Sequence, residues 1–295
     1  MVAALPGNIR LKLDQTLAQW RQWACDPPLA GVPKLVATLG AGLSNFSILV
    51  EADSRFVVRI DGIDPVVHKL NRHGEWRSLE AAHGAGLAPA PRYFNPALGS
   101  LVCDYLTPDG EQPLNIPDIA QLLRGIHQLP ARHHRLDLAE RLLSYEKRLI
   151  HRNPASRALL EDYRLPVTEA LSAAGQTRQP QVLCHHDLLR ANRLYSGGRL
   201  FALDWEYSAM GSAWYELAVV AAGDELTPAE TDTLLRAYLG SAASESQRRL
   251  VMQYTCVYRY LELLWYLAQD HPGLDDRKLE FKRELLDKNL RELGP

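Results

Sequence analysis

LCHHDLLRANRLYSGGRLFALDWE, residues 183–206, sets two histidines, two aspartates and an asparagine among apolar residues. Polar side chains in such surroundings need a reason, because burial without a partner costs free energy. Two apolar runs, RLY and RLFAL, meet around Gly197-Gly198, which is a hairpin signal. The polar residues bracket it as His185-x-Asp187-x4-Asn192 before the hairpin and Asp204 after it. A carboxylate on the first loop can orient a hydroxyl and accept its proton. An asparagine and a second aspartate are the hard oxygen donors that Mg2+ takes.

Upstream, residues 10–24 have the pattern of an amphipathic helix. FSILVEA and RFVVRI follow as β-rich runs joined by a tight polar turn. Residues 69–85 turn helical until the prolines of LAPAPRYF, and SLVCDYL at 100–106 is another apolar strand, closed by TPDGEQP. From there the pattern changes. Ile119, Leu122, Leu123 and Ile126 recur at helical spacing, helix continues through 136–175, and after about residue 212 everything reads as helix. The predicted fold class is α+β with two lobes. A small β-rich N-terminal lobe with a hinge spans 1–106, and a larger helical lobe spans 107–295 and carries the loop. Clefts between unlike lobes commonly hold ligands.

Composition narrows the function classes. With 295 residues, 46% of them hydrophobic, the chain suffices for one large domain or two modest ones. A net charge of −2 is not the footprint of a nucleic-acid binder, so none is expected as a partner. Cys25, Cys103, Cys184 and Cys256 are scattered without a CxxC pair, which argues for reduced thiols rather than a disulfide or zinc framework. The N-terminus is charged too early for a signal-peptide core, and LAVVAA is far short of a membrane span. No membrane partner and a cytoplasmic location are expected.

Two other readings of the cluster compete. Isolated Asp and Asn residues in loops usually serve turns and caps. His185, His186, Asp187 and Asp204 are also possible Zn2+ or Mn2+ ligands of a metallohydrolase. Adjacent histidines on an extended segment point to opposite faces, however, and no HExxH helix is present.

The H-x-D-x4-N spacing followed by an aspartate after a hairpin is similar to that of protein kinases. Over residues 35–270 the chain resembles the aminoglycoside phosphotransferase and choline kinase superfamily, whose fold is protein-kinase-like. That resemblance implies a small-molecule kinase using ATP and Mg2+, with Asp187 as catalytic base, Asn192 and Asp204 as Mg2+ ligands, and His185 bracing the loop. LGAGLSNFSILV resembles the family's nucleotide loop, which places Gly40, Gly42, Ser44 and Asn45 at its tip. Arg59 matches the phosphate-binding cation and Glu75 its partner. Asp104, Tyr105 and Leu106 match the adenine-binding hinge. Many relatives carry Asp where this chain has Glu216. That ending, with DWEY and GAGLSN, looks more like thiamine and choline kinases than aminoglycoside-resistance enzymes. A non-catalytic nucleotide-binding pseudokinase is the alternative of another class, and the intact Asp187, Asn192 and Asp204 set argues against it.

For the acceptor, Tyr254, Tyr258, Leu261 and Trp265 share one helical stripe with Glu262 beside it. Glu206, Tyr258, Glu262 and Trp265 are the candidate substrate residues. Rings beside a carboxylate suit a compact cation of thiamine or choline type, although buried rings also serve simply as core. An amino sugar or an aminoglycoside is the alternative acceptor.

Overall fold

The computed structural model describes residues 5–41, 45–63, 70–111, 113–154, 156–177, 179–268 and 276–294. Two compact units emerge: Met1–Pro113 with Asn192–Ser208, and Leu114–Ala191 with Ala209–Pro295. The hairpin after the candidate catalytic loop thus belongs with the first unit.

In the first unit, β1 (Lys34–Ala41), β2 (Asn45–Glu51), β3 (Arg55–Asp61), β4 (Pro91–Asn95) and β5 (Ser100–Asp104) form an antiparallel sheet of order β1-β2-β3-β5-β4. The expected β2–β3 hairpin pairs Ile48 with Val58 and Val50 with Phe56. Helix α1 (Gly7–Ala18) lays Ile9, Leu13 and Leu17 onto Ile48, Val50, Val58, Ile60 and Val102, which makes the core of this unit. The helix expected over 10–24 stops at Ala18, and a 3-10 turn at Trp20–Gln22 continues the chain. Side chains alternate along a strand, so Arg59 stands on the face opposite Val58 and Ile60. Helix α2 (Arg72–Gly84) begins at Asn71, whose side chain accepts from the Gly74 N–H at 2.9 Å.

The sequence-predicted hairpin is present as β7 (Arg193–Ser196) and β8 (Arg199–Ala202). Gly197 and Gly198 have φ of 58° and 73°, the left-handed pair that a two-residue hairpin turn requires. Asp109 accepts from both of their N–H groups at 2.8 Å, and the Ala202 N–H donates to the Leu87 carbonyl. These bonds fix the strand that leads into Asp204.

The second unit is helical: α3 (Ile116–His127), α4 (Leu138–Arg152), α5 (Ser156–Gly175), α6 (Ala213–Gly223), α7 (Pro228–Leu239), α8 (Glu245–Ala268) and α9 (Asp276–Leu293). Ile119, Leu122, Leu123 and Ile126 are buried, as their spacing predicts. Helix α8 packs against α4, α5, α6 and α9, so it is buried on most of its circumference between Gln253 and Tyr260.

A two-strand ladder, β6 (Gln181–Cys184) with β9 (Ala209–Ser212), enters the loop at its start. There Gly211 lies opposite Val182, and a Cβ at Gly211 would sit 2.4 Å from the His186 ring. His186 is itself buried and cannot swing into solvent. Gly211→Ala should therefore destabilise the chain by about 1–3 kcal/mol through overpacking. Thermal denaturation checks this, and an unchanged melting temperature would show the contact to be soft.

Candidate active site

Within the first unit, β3, α2 and the segment after β8 bring four carboxylates and two guanidiniums together. Arg59 Nη1 donates to Glu75 Oε1 and, at 2.6 Å, to Asp204 Oδ1. Arg72 donates to both oxygens of Asp61 at 2.6 and 3.1 Å, to Glu75 Oε2 at 2.9 Å and to Glu206 Oε2 at 3.1 Å. Asn45 Nδ2 reaches Glu206 at 3.0 Å and Asp204 Oδ2 at 3.4 Å. Arg59, Arg72, Asp61, Glu75 and Glu206 are buried, whereas the Asp204 side chain remains 30% exposed. Buried charges persist only when paired, and here each guanidinium is shared between carboxylates.

The electrostatics follow from this crowding. Burial pushes the Glu75 carboxyl up, but Arg59 and then Arg72 outweigh it and hold the group below the usual range. At Glu206 burial wins, with the Asp204 charge adding to it, and the carboxyl is raised to about 7. Four carboxylates against two guanidiniums leave a negative surplus when all are ionised, which suits a divalent cation. Asp204 is presented by a backbone with φ of 58°, a left-handed conformation that aspartate tolerates better than most residues. The Leu203 N–H donates to the Asn192 carbonyl at 2.8 Å, tying that turn to the residue expected as the other metal ligand.

Glu206, expected at the acceptor, is thus bonded to Asn45 and Arg72. Arg72 and Asp61 escaped the sequence reading, because an ordinary Arg and Asp eleven residues apart carry no signal of a shared bond. Of the expected nucleotide loop, Gly40 pairs with Ser47 in β1, while Gly42 and Ser44 lie outside the described residues. At the expected hinge, the Asp104 carboxylate takes two bonds from Arg92 at 2.6 Å. The Asp104 and Tyr105 N–H groups already donate to the Ala90 and Arg55 carbonyls. Any hinge donation to a base therefore falls to the Leu106 N–H.

In the second unit the candidate catalytic loop is held from its backbone. Glu216, on the first turn of α6, accepts from the His185 N–H at 2.6 Å and the His186 N–H at 2.7 Å through one oxygen. Its other oxygen meets His127 Nε2 at 2.6 Å, and His127 Nδ1 lies 2.7 Å from the Tyr238 hydroxyl. Burial alone would raise the Glu216 carboxyl, but the hydrogen bond and charge of His127 bring it to about 2. His185, expected to brace the loop, is itself held here through its main-chain N–H. Asp187 follows on this anchored stretch and is partly exposed. His127, Cys184 and Glu216 place donor atoms within 4.8 Å of one another, yet the Glu216 oxygens are taken up by His127 and the loop N–H groups.

His186, to which the sequence assigned no role, has φ of 64° and packs its ring 5.7 Å from that of Tyr215. Of the acceptor stripe, Tyr254 packs edge-on against Tyr215 at 5.7 Å and so belongs to the core. Tyr258 is buried, Trp265 rests edge-on against Tyr266, and Glu262 accepts from Lys282 Nζ at 2.8 Å.

The model of the phosphotransferase enzyme family matches residues 36–250, well over half of the chain. The chain belongs to the phosphotransferase enzyme family. Protein LicA of Haemophilus influenzae is 28% identical over 87 residues, covering 28% of this chain and 33% of that protein. The matched segment thus spans about a third of that relative's length. Choline kinase LicA from Streptococcus pneumoniae superposes with a TM-score of 0.76 at 20% identity, over 97% of this chain and 100% of its own. Spectinomycin phosphotransferase APH(9)-Ia, solved with ADP and spectinomycin, superposes with a TM-score of 0.59 at 12% identity, over 95% of this chain and 96% of its own. The mixed α+β fold, with a small antiparallel sheet and a helical part, is the kinase-like fold of these structures. Among the described residues no helix is long and apolar enough to cross a membrane.

Burial lowers the His186 imidazole to about 4 from an ordinary 6.5. Between those values the unfolded chain binds a proton that the folded chain refuses, so stability falls as pH drops from 6.5 towards 4. The contribution is on the order of 3 kcal/mol. His186→Asn, which keeps a residue tolerant of left-handed backbone, should flatten this part of the stability–pH curve. Denaturant unfolding at intervals across that range is the check. An equally steep fall in the variant would place the titrating group elsewhere.

Proposed function

We propose that this phosphotransferase moves the γ-phosphoryl group of ATP to a hydroxyl of a small-molecule alcohol. The observation that carries the proposal is the Arg59 guanidinium, buried on β3 and shared between Glu75 and the partly exposed Asp204. A guanidinium steadied by one carboxylate while reaching another at the solvent side is suited to phosphate oxygens. The ADP bound by the spectinomycin enzyme supports the nucleotide.

The acceptor oxygen bonds to the γ-phosphorus as the bond from that phosphorus to the β–γ bridging oxygen breaks. ADP leaves with the electron pair, and Asp187 takes the hydroxyl proton. Asn192 and Asp204 would hold Mg2+, which when bound offsets charge on the phosphate oxygens. Gly40 and Asn45 would meet the phosphates. The segment Asp104–Leu106 would meet the base through the Leu106 N–H. A soluble cytoplasmic enzyme fits this chemistry.

For the acceptor, the likeness to the choline kinase LicA supports a compact cation set against Tyr258, Trp265 and Glu262. Lys282 already neutralises Glu262, which weakens that reading.

Asp187→Asn preserves shape and removes the proton acceptor. Turnover should fall by roughly 10²–10⁴-fold while Mg-ATP affinity stays nearly constant. Steady-state kinetics paired with a nucleotide-binding titration test this; turnover within threefold of the parent would remove Asp187 from the mechanism.

A further inference from the structure

Arg59 is only 8% exposed, and one of its nitrogens, Nη1, donates both to Glu75 Oε1 and, at 2.6 Å, to Asp204 Oδ1. The Nε of the same guanidinium is buried with no hydrogen-bond partner among the described residues. A guanidinium is a planar fork that grips an oxyanion best through two nitrogens at once. Here one nitrogen is shared between two carboxylates while another donor goes unmade, which is costly in the interior. The bond to Asp204 is therefore one that a phosphate could replace with profit to Arg59.

Asp204 has both oxygens engaged in the meantime. Oδ1 holds the Arg59 bond, and Oδ2 lies 3.4 Å from Asn45 Nδ2. A divalent cation at Oδ1 would have to stand beside the guanidinium already there, and like charges at that range repel. Breaking the bond with no replacement would forfeit a charge-assisted contact.

The other charges leave this exchange to Arg59. Arg72, the second guanidinium of the cluster, is bonded to Asp61, Glu75 and Glu206, and not to Asp204. Glu75 Oε2 is held by Arg72 at 2.9 Å, so α2 keeps its anchor while Arg59 changes partner. Glu75 and Glu206 both add to the negative field at Arg59 and stay in place on either side of the exchange.

Resting on the kinase reading above, we infer that Arg59 is a latch on Asp204. Its guanidinium closes that carboxylate to a divalent cation and gives it up only when phosphate oxygens of a nucleotide become its partner. Metal and nucleotide then raise each other's affinity by the same factor, because the coupling is reciprocal.

The test uses the intact chain and Mn2+, which takes oxygen ligands as Mg2+ does, with free Mn2+ followed by electron paramagnetic resonance and no nucleotide present. Arg59→Met should bind Mn2+ at least tenfold more tightly than the parent. Adding Asp204→Asn to that variant should remove the gain. A merely structural Arg59 would lower the melting temperature and leave Mn2+ affinity where it was. Mn2+ affinities within twofold of each other in the parent and Arg59→Met overturn the inference, as does a gain that survives Asp204→Asn. If Arg59→Met does not fold, Asp204→Asn alone serves. With its carboxylate partner gone, Arg59 should bind ATP in EDTA at least tenfold more tightly than in the parent, and an affinity within twofold overturns the latch. These outcomes are separate from the kinase reading. A parent whose melting temperature ignores Mg-ATP fails that reading, and the inference with it, whereas a parent stabilised by Mg-ATP keeps the reading whatever Mn2+ shows.

Discussion

A guanidinium with two carboxylate partners organises the first unit. Arg59 has lost nearly all contact with water, and the opposite charges of Glu75 and Asp204, with that of Glu206 nearby, make its burial tolerable. Arg72 repeats the device with Asp61, Glu75 and Glu206, so Glu75 serves both arginines and joins the two halves of the cluster. The arrangement orders strand, helix and hairpin from sequence positions far apart. It leaves Asp204 as the member open to solvent, where a phosphate-bound cation would meet it.

The second unit solves a related problem with the main chain. Glu216 is fully buried, and its charge is met by two loop N–H groups and His127 rather than by a guanidinium. Because the bonds fall on His185 and His186, the backbone preceding Asp187 is set before any substrate arrives. A carboxylate at this position thus acts through the loop, on the backbone that leads into Asp187.

The features written in local pattern were legible in the sequence. The β2–β3 alternation, the Gly197-Gly198 turn and the helical spacing of Ile119 to Ile126 all act within a few residues. The Asp187, Asn192 and Asp204 spacing was legible because a hairpin of fixed length separates its parts. The β6–β9 ladder was not, since QVLC and AMGS are four-residue segments whose pairing spans the whole loop and hairpin. Arg72 and Lys282 looked like ordinary surface charges, and burial is a tertiary property that no local pattern announces. Glu216 registered only as a departure from the Asp of many relatives; its bonds to two backbone N–H groups have no sequence signature at all.

In the proposed function, Arg59 and Asp204 serve a nucleotide together with its metal. Isothermal titration of the intact chain with ATP, once in Mg2+ and once in EDTA, tests that most directly. Binding in Mg2+ that weakens at least tenfold in EDTA is the predicted result, a difference of about 1.4 kcal/mol or more. Equal affinity in the two buffers, or no binding in Mg2+, would contradict it.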